Sequence, residues 1–272
     1  MTLTRRQTRD LLAEHDFHPA KSRGQNFVAD PNTVRRIARL ASVGPGDQVV
    51  EIGAGLGALT LALAETGARV VTVEVDHRLV AILQGTVPEP VTVVEGDALT
   101  LDWPALLGTE PGRWVLVANL PYNIATPLVL DLLAGVPAIG RMLVMVQREA
   151  GERLAATPGS AGYGAVSVKV AYRALARVEA KVPSTVFVPQ PEVESVLVSL
   201  RRRDRPAVDL PAERLFPLVE AGFGHRRKML RRSLEGLVTA DDFSCAGVEP
   251  TARAEELDVV AWGRLAACRL RS

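Results

Sequence analysis

The sequence predicts an α/β protein in which a mainly parallel sheet domain is followed by a small all-α C-terminal domain. Three observations carry that expectation. From residue 48 onward, short β-branched runs alternate with helical patterns. The first of these runs ends directly in a glycine-rich turn, Gly53-Ala-Gly-Leu-Gly57. Beyond Pro211 only helical patterns remain. Strands buried on both faces read as continuous apolar runs, and their alternation with helices is the signature of a parallel sheet covered on both sides.

In chain order, helices are expected at 4–15 and 31–41, separated by the irregular segment 19–28. Strands are expected at 48–52, 69–75, 91–95, 114–118 and 141–147, with helices at 59–65, 78–85, 101–107 and 126–133 between them. A helix over 165–174 then precedes two β-rich runs, 178–186 and 195–200, which fit an antiparallel pair closing the sheet. The charged, proline-terminated stretch Arg201-Arg-Arg-Asp-Arg-Pro206 marks a boundary, so the division expected is 1–204 (with an N-terminal helical segment over 1–45) and 205–272. Helix starts are marked by Pro211 and Thr239, and Gly236 is a stop signal.

The 272 residues suit a large domain plus a small one, and 47% hydrophobic with 23% charged residues excludes a disordered or fibrous chain. The most apolar long stretch, 128–146, is broken by Asp131, Pro137 and Arg141, so it reads as core and not as a membrane span. The charged start has no apolar run after it and lacks the form of a signal peptide. Two cysteines, Cys245 and Cys268, cannot build a disulfide framework, and no Cys/His cluster offers a metal site; a reducing cytoplasm is expected. With 32 basic against 31 acidic residues, bulk charge neither demands nor excludes a nucleic-acid partner.

The glycine turn joins a strand to a helix, which lets backbone N–H groups approach a ligand. Gly53 and Gly55 are the candidate contacts. Glu74, at the end of the second run, is placed to accept hydrogen bonds from a ribose diol, and Asp97, after the third and beside Ala98, to receive an adenine amine. Nicotinamide and S-adenosylmethionine cofactors both use such a ribose carboxylate. Glu51, just before the glycines, and Asp97 lean toward S-adenosylmethionine, because a carboxylate there helps hold the cationic methionine end.

The fourth run ends in Asn119-Leu-Pro-Tyr122, at the carboxyl edge where ligands of parallel sheets bind. An adenine N6 amine is a poor nucleophile because its lone pair is conjugated into the ring. Two acceptors for its N–H groups favour rehybridisation, and Asn119 Oδ1 with the Leu120 carbonyl can supply them, Pro121 fixing the backbone. Tyr122 offers a face for the base. Positioning, with no metal, does most of the work. In Phe187-Val-Pro-Gln-Pro191, a stiff Pro-x-Pro segment is expected to hold Phe187 over the other face of a flipped-out adenine.

Taken together these motifs resemble the ribosomal RNA adenine dimethylases over nearly the whole chain. The resemblance rests on Gly24-Gln-Asn-Phe-Val28, Glu51-Ile-Gly-Ala-Gly-Leu-Gly57, Val73-Glu-Val-Asp76, Gly96-Asp-Ala98, Asn119-Leu-Pro-Tyr-Asn-Ile-Ala-Thr-Pro127 and Phe187-x-Pro-x-Pro-x-Val-x-Ser195. Val28 stands where the family usually has Leu, and Ala54 where Pro is frequent. The resemblance implies a Rossmann-like, S-adenosylmethionine-dependent methyltransferase domain, with cofactor contacts at Asn26, Val28, Gly53, Glu74, Asp97 and Asn119. The segments 223–234 and 249–255 are similar to the small-subunit branch of the family. That branch implies dimethylation of N6 on two adjacent adenosines in the 3′-terminal hairpin loop of 16S rRNA, by a cytoplasmic monomer acting on the small ribosomal subunit. Competing readings are a 23S rRNA methylase of the antibiotic-resistance type, a ribosome-assembly checkpoint factor, and a nicotinamide oxidoreductase.

Local charge supplies an RNA face that net charge does not. Arg201, Arg202, Arg203 and Arg205 cluster at the boundary, and Arg226, Arg227, Lys228, Arg231 and Arg232 cluster on what reads as one helix. Helical spacing would put Arg227 with Arg231, and Lys228 with Arg232, on a shared face suited to phosphates. Lys21 and Arg23 are expected to add contacts near the target base.

Overall fold

The structure, a computed structural model, describes residues 2–20, 24–225 and 227–270. The chain divides into two compact units, 1–151 with 177–202, and 152–176 with 203–272.

The first unit opens with α1 (Arg5–Glu14), held by a capping box between Thr4 and Gln7. A two-residue strand, β1 (Phe27–Val28), leads into α2 (Pro31–Ala41), which Asp30 caps by accepting from the Thr33 N–H. The alternating part then follows: β2 (Gln48–Ile52), α3 (Ala58–Ala64), β3 (Arg69–Glu74), α4 (His77–Thr86), β4 (Thr92–Glu95), α5 (Trp103–Leu107), β5 (Trp114–Asn119), α6 (Ala125–Gly135), β6 (Ile139–Gln147) and α7 (Arg148–Ala155). After α8 (Ala165–Arg173) come β7 (Ala174–Val182), the short β8 (Phe187–Val188) and β9 (Ser195–Arg202).

The main sheet has the order β4-β3-β2-β5-β6-β9-β7. Strands β4, β3, β2, β5 and β6 run parallel, and β9 lies antiparallel to β6. The chain fills one side of β2 before crossing to β5, so the carboxyl ends of β2 and β5 form the switch point at which open α/β sheets bind ligands. Val49, Val50, Leu116, Val117, Val144 and Met145 are fully buried, as strands covered on both faces require.

Three sequence readings change here. The run expected at 178–186 is displaced four residues earlier, to 174–182, because Pro183 has no N–H for the ladder and the chain turns at Ser184–Val186. Helix α7 is not among the elements expected from the sequence; a Cβ at Gly151 would overlap the Val196 side chain, so the glycine is what lets α7 lie against β9. The two-stranded sheet of β1 and β8, with Phe27 opposite Val188 and Val28 opposite Phe187, is too short for a sequence pattern to reveal.

The second unit contains α8, α9 (Ala212–Gly224), α10 (Leu230–Ser233), α11 (Ala240–Ala246) and α12 (Val259–Arg269). It takes in residues 152–176 as well as 203–272. The reason is burial. Tyr163, Val168 and Tyr172 share one core with Leu215, Leu218, Leu234, Trp262 and Leu265. The Tyr163 hydroxyl donates to the Leu257 carbonyl at 2.8 Å and the Tyr172 hydroxyl to the Leu210 carbonyl at 2.7 Å.

The expectation drawn from the cysteines is also corrected. Helices α11 and α12 bring the Cα atoms of Cys245 and Cys268 to 6.0 Å, and the two are joined in a disulfide. The pair therefore offers no argument for a reducing compartment. Among the described residues no helix is long and apolar enough to cross a membrane, and no group of His, Cys, Asp or Glu is arranged to hold a metal ion.

Candidate active site

A cavity of about 470 Å³ lies at the switch point. Asn26, Val28, Glu51, Gly53, Gly55, Glu74, Asp97, Ala98, Asn119 and Pro121 all line it, although they come from five separate stretches of chain. Gly53 and Gly55 have φ of 73° and 59°, a left-handed conformation that glycine adopts without strain. Gly55 has a second reason to lack a side chain: a Cβ there would stand 2.7 Å from the Phe27 ring.

Glu74 is buried, and its carboxylate organises the turn. Oε2 accepts from the Gly55 N–H at 2.9 Å, and Oε1 accepts from the Val75 and Asp76 N–H groups at 3.0 Å each. Burial raises its pKa above the ordinary carboxylate value against the pull of these three donors. Each carboxylate oxygen takes two hydrogen bonds, so Oε2 retains acceptor capacity toward the cavity.

Glu51 is buried one strand away. Its Oε2 accepts from Thr60 Oγ1 at 2.6 Å and from Thr72 Oγ1 at 3.3 Å. Burial pushes its pKa up to about 7, with the nearby Glu74 adding to the shift. Thr60 and Thr72 were not read as functional, and no local spacing could have flagged them, because the contacts are made across the sheet and the following helix.

The loop after β4 is fixed from within. Asp97 Oδ1 accepts from the Leu99 N–H at 2.9 Å, and Trp103 Nε1 donates to the Ala98 carbonyl at 3.1 Å. Asp97 is exposed at the cavity rim.

Asn119 closes β5. Its Nδ2 donates to the Asn26 carbonyl at 3.1 Å, which commits the donor end of the amide and leaves Oδ1 as the free acceptor. A second cavity, about 440 Å³, adjoins on the shared walls of Gly24, Asn26 and Asn123, and is lined also by Tyr122, Gln147, Pro189 and Pro191. The Tyr122 hydroxyl lies 2.8 Å from Ser195 Oγ; burial raises its pKa, opposed by that hydrogen bond.

Two expected residues stand apart. The Leu120 side chain is buried and the residue lines neither cavity, while its backbone N–H donates to the Met145 carbonyl at 3.0 Å. Phe187 is corrected: it has no exposed surface and lies in the main core with Phe27, Val28 and Leu197, so in this structure Tyr122 is the aromatic residue of the second cavity. Pairing of β8 with β1 is what draws Phe187 inward.

The basic residues are also rearranged. Lys21, Arg23 and Arg226 lie outside the described residues. Residues 227–232 do not form one helix. Met229 is extended, pairs with Arg253 and caps the four-residue α10, whose first two N–H groups, those of Leu230 and Arg231, donate to the Ala252 and Pro250 carbonyls. Arg227, Lys228, Arg231 and Arg232 are nonetheless exposed. At the domain boundary, Arg202 donates to the carbonyls of Leu132, Leu133, Val136 and Ile139, capping the end of α6, and Arg203 donates to the Ala171 carbonyl; both are structural.

The ribosomal RNA small subunit methyltransferase A of Kineococcus radiotolerans is 47% identical over 98% of this chain and 91% of its own length. Among solved structures, a dimethyladenosine transferase from Plasmodium falciparum superposes with a TM-score of 0.75 at 24% identity, over 88% of this chain and 95% of that one. The 23S rRNA methyltransferase ErmE gives 0.69 at 28% identity, over 91% and 100%. The family description Ribosomal RNA adenine dimethylase matches residues 17–267, and on this match and these identities the chain belongs to that family.

Proposed function

We propose that this enzyme transfers methyl groups from S-adenosylmethionine to N6 of two adjacent adenosines in the 3′-terminal hairpin loop of 16S rRNA, within the small ribosomal subunit, and so acts in the cytoplasm during subunit maturation. The observation that carries this reading is the Asn119 amide, which lines the first cavity and is anchored through Nδ2 to the carbonyl of Asn26, a residue on the wall shared with the second.

The first cavity suits the cofactor on chemical grounds. A backbone cradle at Gly53 and Gly55, a buried carboxylate at Glu74 with spare acceptor capacity, and an exposed carboxylate at Asp97 match a glycine-turn contact, a ribose diol and an exocyclic amine. Glu51 would face the cationic methionine end. When bound there, S-adenosylmethionine supplies an electrophilic methyl group on a sulfonium.

The chain's own residues supply the rest. Asn119 Oδ1 accepts from the entering amine and favours a localised lone pair, and the second acceptor proposed is the backbone carbonyl of Leu120, a residue whose side chain is buried and which reaches the amine only through its main chain. Pro121 restrains the peptide that carries these acceptors. Tyr122 provides the stacking face and holds its orientation through Ser195. The exposed cations Arg227, Lys228, Arg231 and Arg232 suit contacts to RNA phosphates.

The test is mass mapping of methylated nucleosides after incubation with under-methylated small subunits and, separately, with large subunits. Dimethyladenosine at two adjacent positions of the small-subunit rRNA is expected. Asn119→Ala should lower turnover about 100-fold or more, with RNA affinity retained, if the acceptor supplies ~3 kcal/mol to the transition state. Methylation confined to the large subunit, or near-normal turnover by the variant, would overturn the proposal.

A further inference from the structure

We propose that Gln147 reads the accepting base, its side-chain amide donating a hydrogen bond to a ring nitrogen of the adenine held in the second cavity. This rests on the function proposed above and names the residue that gives it base specificity.

The placement follows from strand register. Asn119 on β5 stands beside Met145 on β6, and Gln147 is two residues farther along β6. Residues two apart on a strand, and cross-strand partners, share a face of the sheet. Gln147 is in turn the partner of Ser195 on β9. Asn119, Gln147 and Ser195 therefore project from one face at neighbouring strand ends, and Ser195 Oγ meets the Tyr122 hydroxyl on that face. Gln147 is half-buried and lines the second cavity with Tyr122, Pro189 and Pro191.

The other glutamines around the site are engaged. Gln25 accepts from the Ala20 N–H and donates to Asp76, and Gln190 donates to Ser184. Among the described residues none hydrogen-bonds the Gln147 side chain. An amide kept free on a half-buried cavity wall is placed to bind a polar ligand edge. If Asn119 and Leu120 take both N6 hydrogens, the polar atoms left beside the amine are N1 and N7, each an acceptor only. Recognition then requires a donor, which the Gln147 Nε2–H provides. Guanine presents an N1–H and a carbonyl at O6, so it offers the site neither the amine nor the N1 acceptor.

The experiment uses small subunits reconstituted with 16S rRNA carrying adenosine, 1-deazaadenosine or 7-deazaadenosine at the two target positions. Wild-type enzyme is compared with Gln147→Leu and Gln147→Glu, and cofactor affinity measured on the same samples selects the variant whose fold is intact. Wild-type kcat/KM is expected to fall about 10- to 100-fold on one of the two deaza substrates, which identifies the nitrogen read. The variant should lose a similar factor on adenosine and show no further loss on that deaza substrate. The inference is overturned if wild type is indifferent to both deaza substitutions, or if the variant shows the same deaza penalty as wild type. Failure of wild type to methylate the adenosine substrate is a different result, and removes the proposed function itself.

Discussion

The Tyr122 hydroxyl and Ser195 Oγ stand 2.8 Å apart, tying the segment that follows β5 to the first residue of β9. Ser195 is fully buried, so its hydroxyl depends on this partner. Ser195→Ala leaves the half-buried Tyr122 hydroxyl unpaired and should lower stability by about 1 kcal/mol, and Tyr122→Phe should do much the same. The double variant should cost clearly less than the sum, because each change removes the same bond. Urea unfolding of the four proteins checks this. Strict additivity would mean that the contact does not orient the ring.

How far the sequence foretold this site differs from residue to residue. Strands β2, β3 and β5 were legible because burial on both faces leaves an unbroken apolar signal. The glycine turn was legible because three alternating glycines between a strand pattern and a helix pattern mark a backbone that must turn tightly. The partners of Glu51 were not, since Thr60 and Thr72 meet it only once helix and sheet are packed. Phe187 was misread because a phenylalanine beside a Pro-x-Pro segment has the same local pattern whether it is core or stacking platform. The supposed basic helix failed for a related reason. Its spacing fits a 3.6-residue period, but the Leu230 and Arg231 amides are claimed by the Ala252 and Pro250 carbonyls, far along the chain. Local pattern reports local preference, and in these cases a distant partner decided the outcome.

Glu51 predicts a pH dependence. Its folded pKa of about 7 lies above the ordinary value of 4.5. Below pH 4.5 the group is protonated in both states and its stabilising difference is fully present. Between pH 4.5 and about 7 the unfolded chain ionises while the folded chain stays protonated, so stability falls as pH rises, by on the order of 3 kcal/mol in total. Urea unfolding from pH 4.5 to 8 should show this slope in the wild type and a flatter one in Glu51→Gln. If Glu51 holds a cationic ligand, S-adenosylmethionine affinity should move the opposite way, tightening as pH rises through about 7, and calorimetry on Glu51→Gln should find that trend gone.

The Cys245–Cys268 bond closes a sequence separation of 23 residues between α11 and α12. Restricting an unfolded loop of that size stabilises by about 3 kcal/mol in the chain-entropy treatment. Reductant should therefore lower the melting temperature of the second unit, while the double variant Cys245→Ser with Cys268→Ser should melt low with or without reductant. Cofactor affinity should not change, because the cavity is built from the first unit alone. A wild-type melt indifferent to reductant would show that the bond contributes nothing to stability.

The exposed cations of the second unit give the last prediction. Arg227 and Lys228 follow α9, and Arg231 and Arg232 sit on the short α10, whose entry is pinned by the Met229–Arg253 bridge. A pinned backbone presents these charges in a fixed arrangement, even though they do not share one helix face. Arg232 lies 3.7 Å from Glu235, an exposed pair of little energetic consequence, so Arg227, Lys228 and Arg231 are the better choice for substitution. If they meet RNA phosphates, replacing all three with Ala should weaken binding to the small subunit. The slope of log affinity against log salt should also become shallower by roughly 0.7–0.9 for each phosphate that the variant no longer neutralises. S-adenosylmethionine affinity should stay at the wild-type value, since the residues proposed to hold it belong to the first unit. Arginine stems also cover apolar surface, so a melt of the same sample accompanies the titration, and single substitutions at Arg227 and Lys228 serve if the triple variant melts early. Unchanged affinity together with an unchanged salt slope, in a variant that melts like wild type, would make this cluster a solvated surface and move the RNA contacts elsewhere.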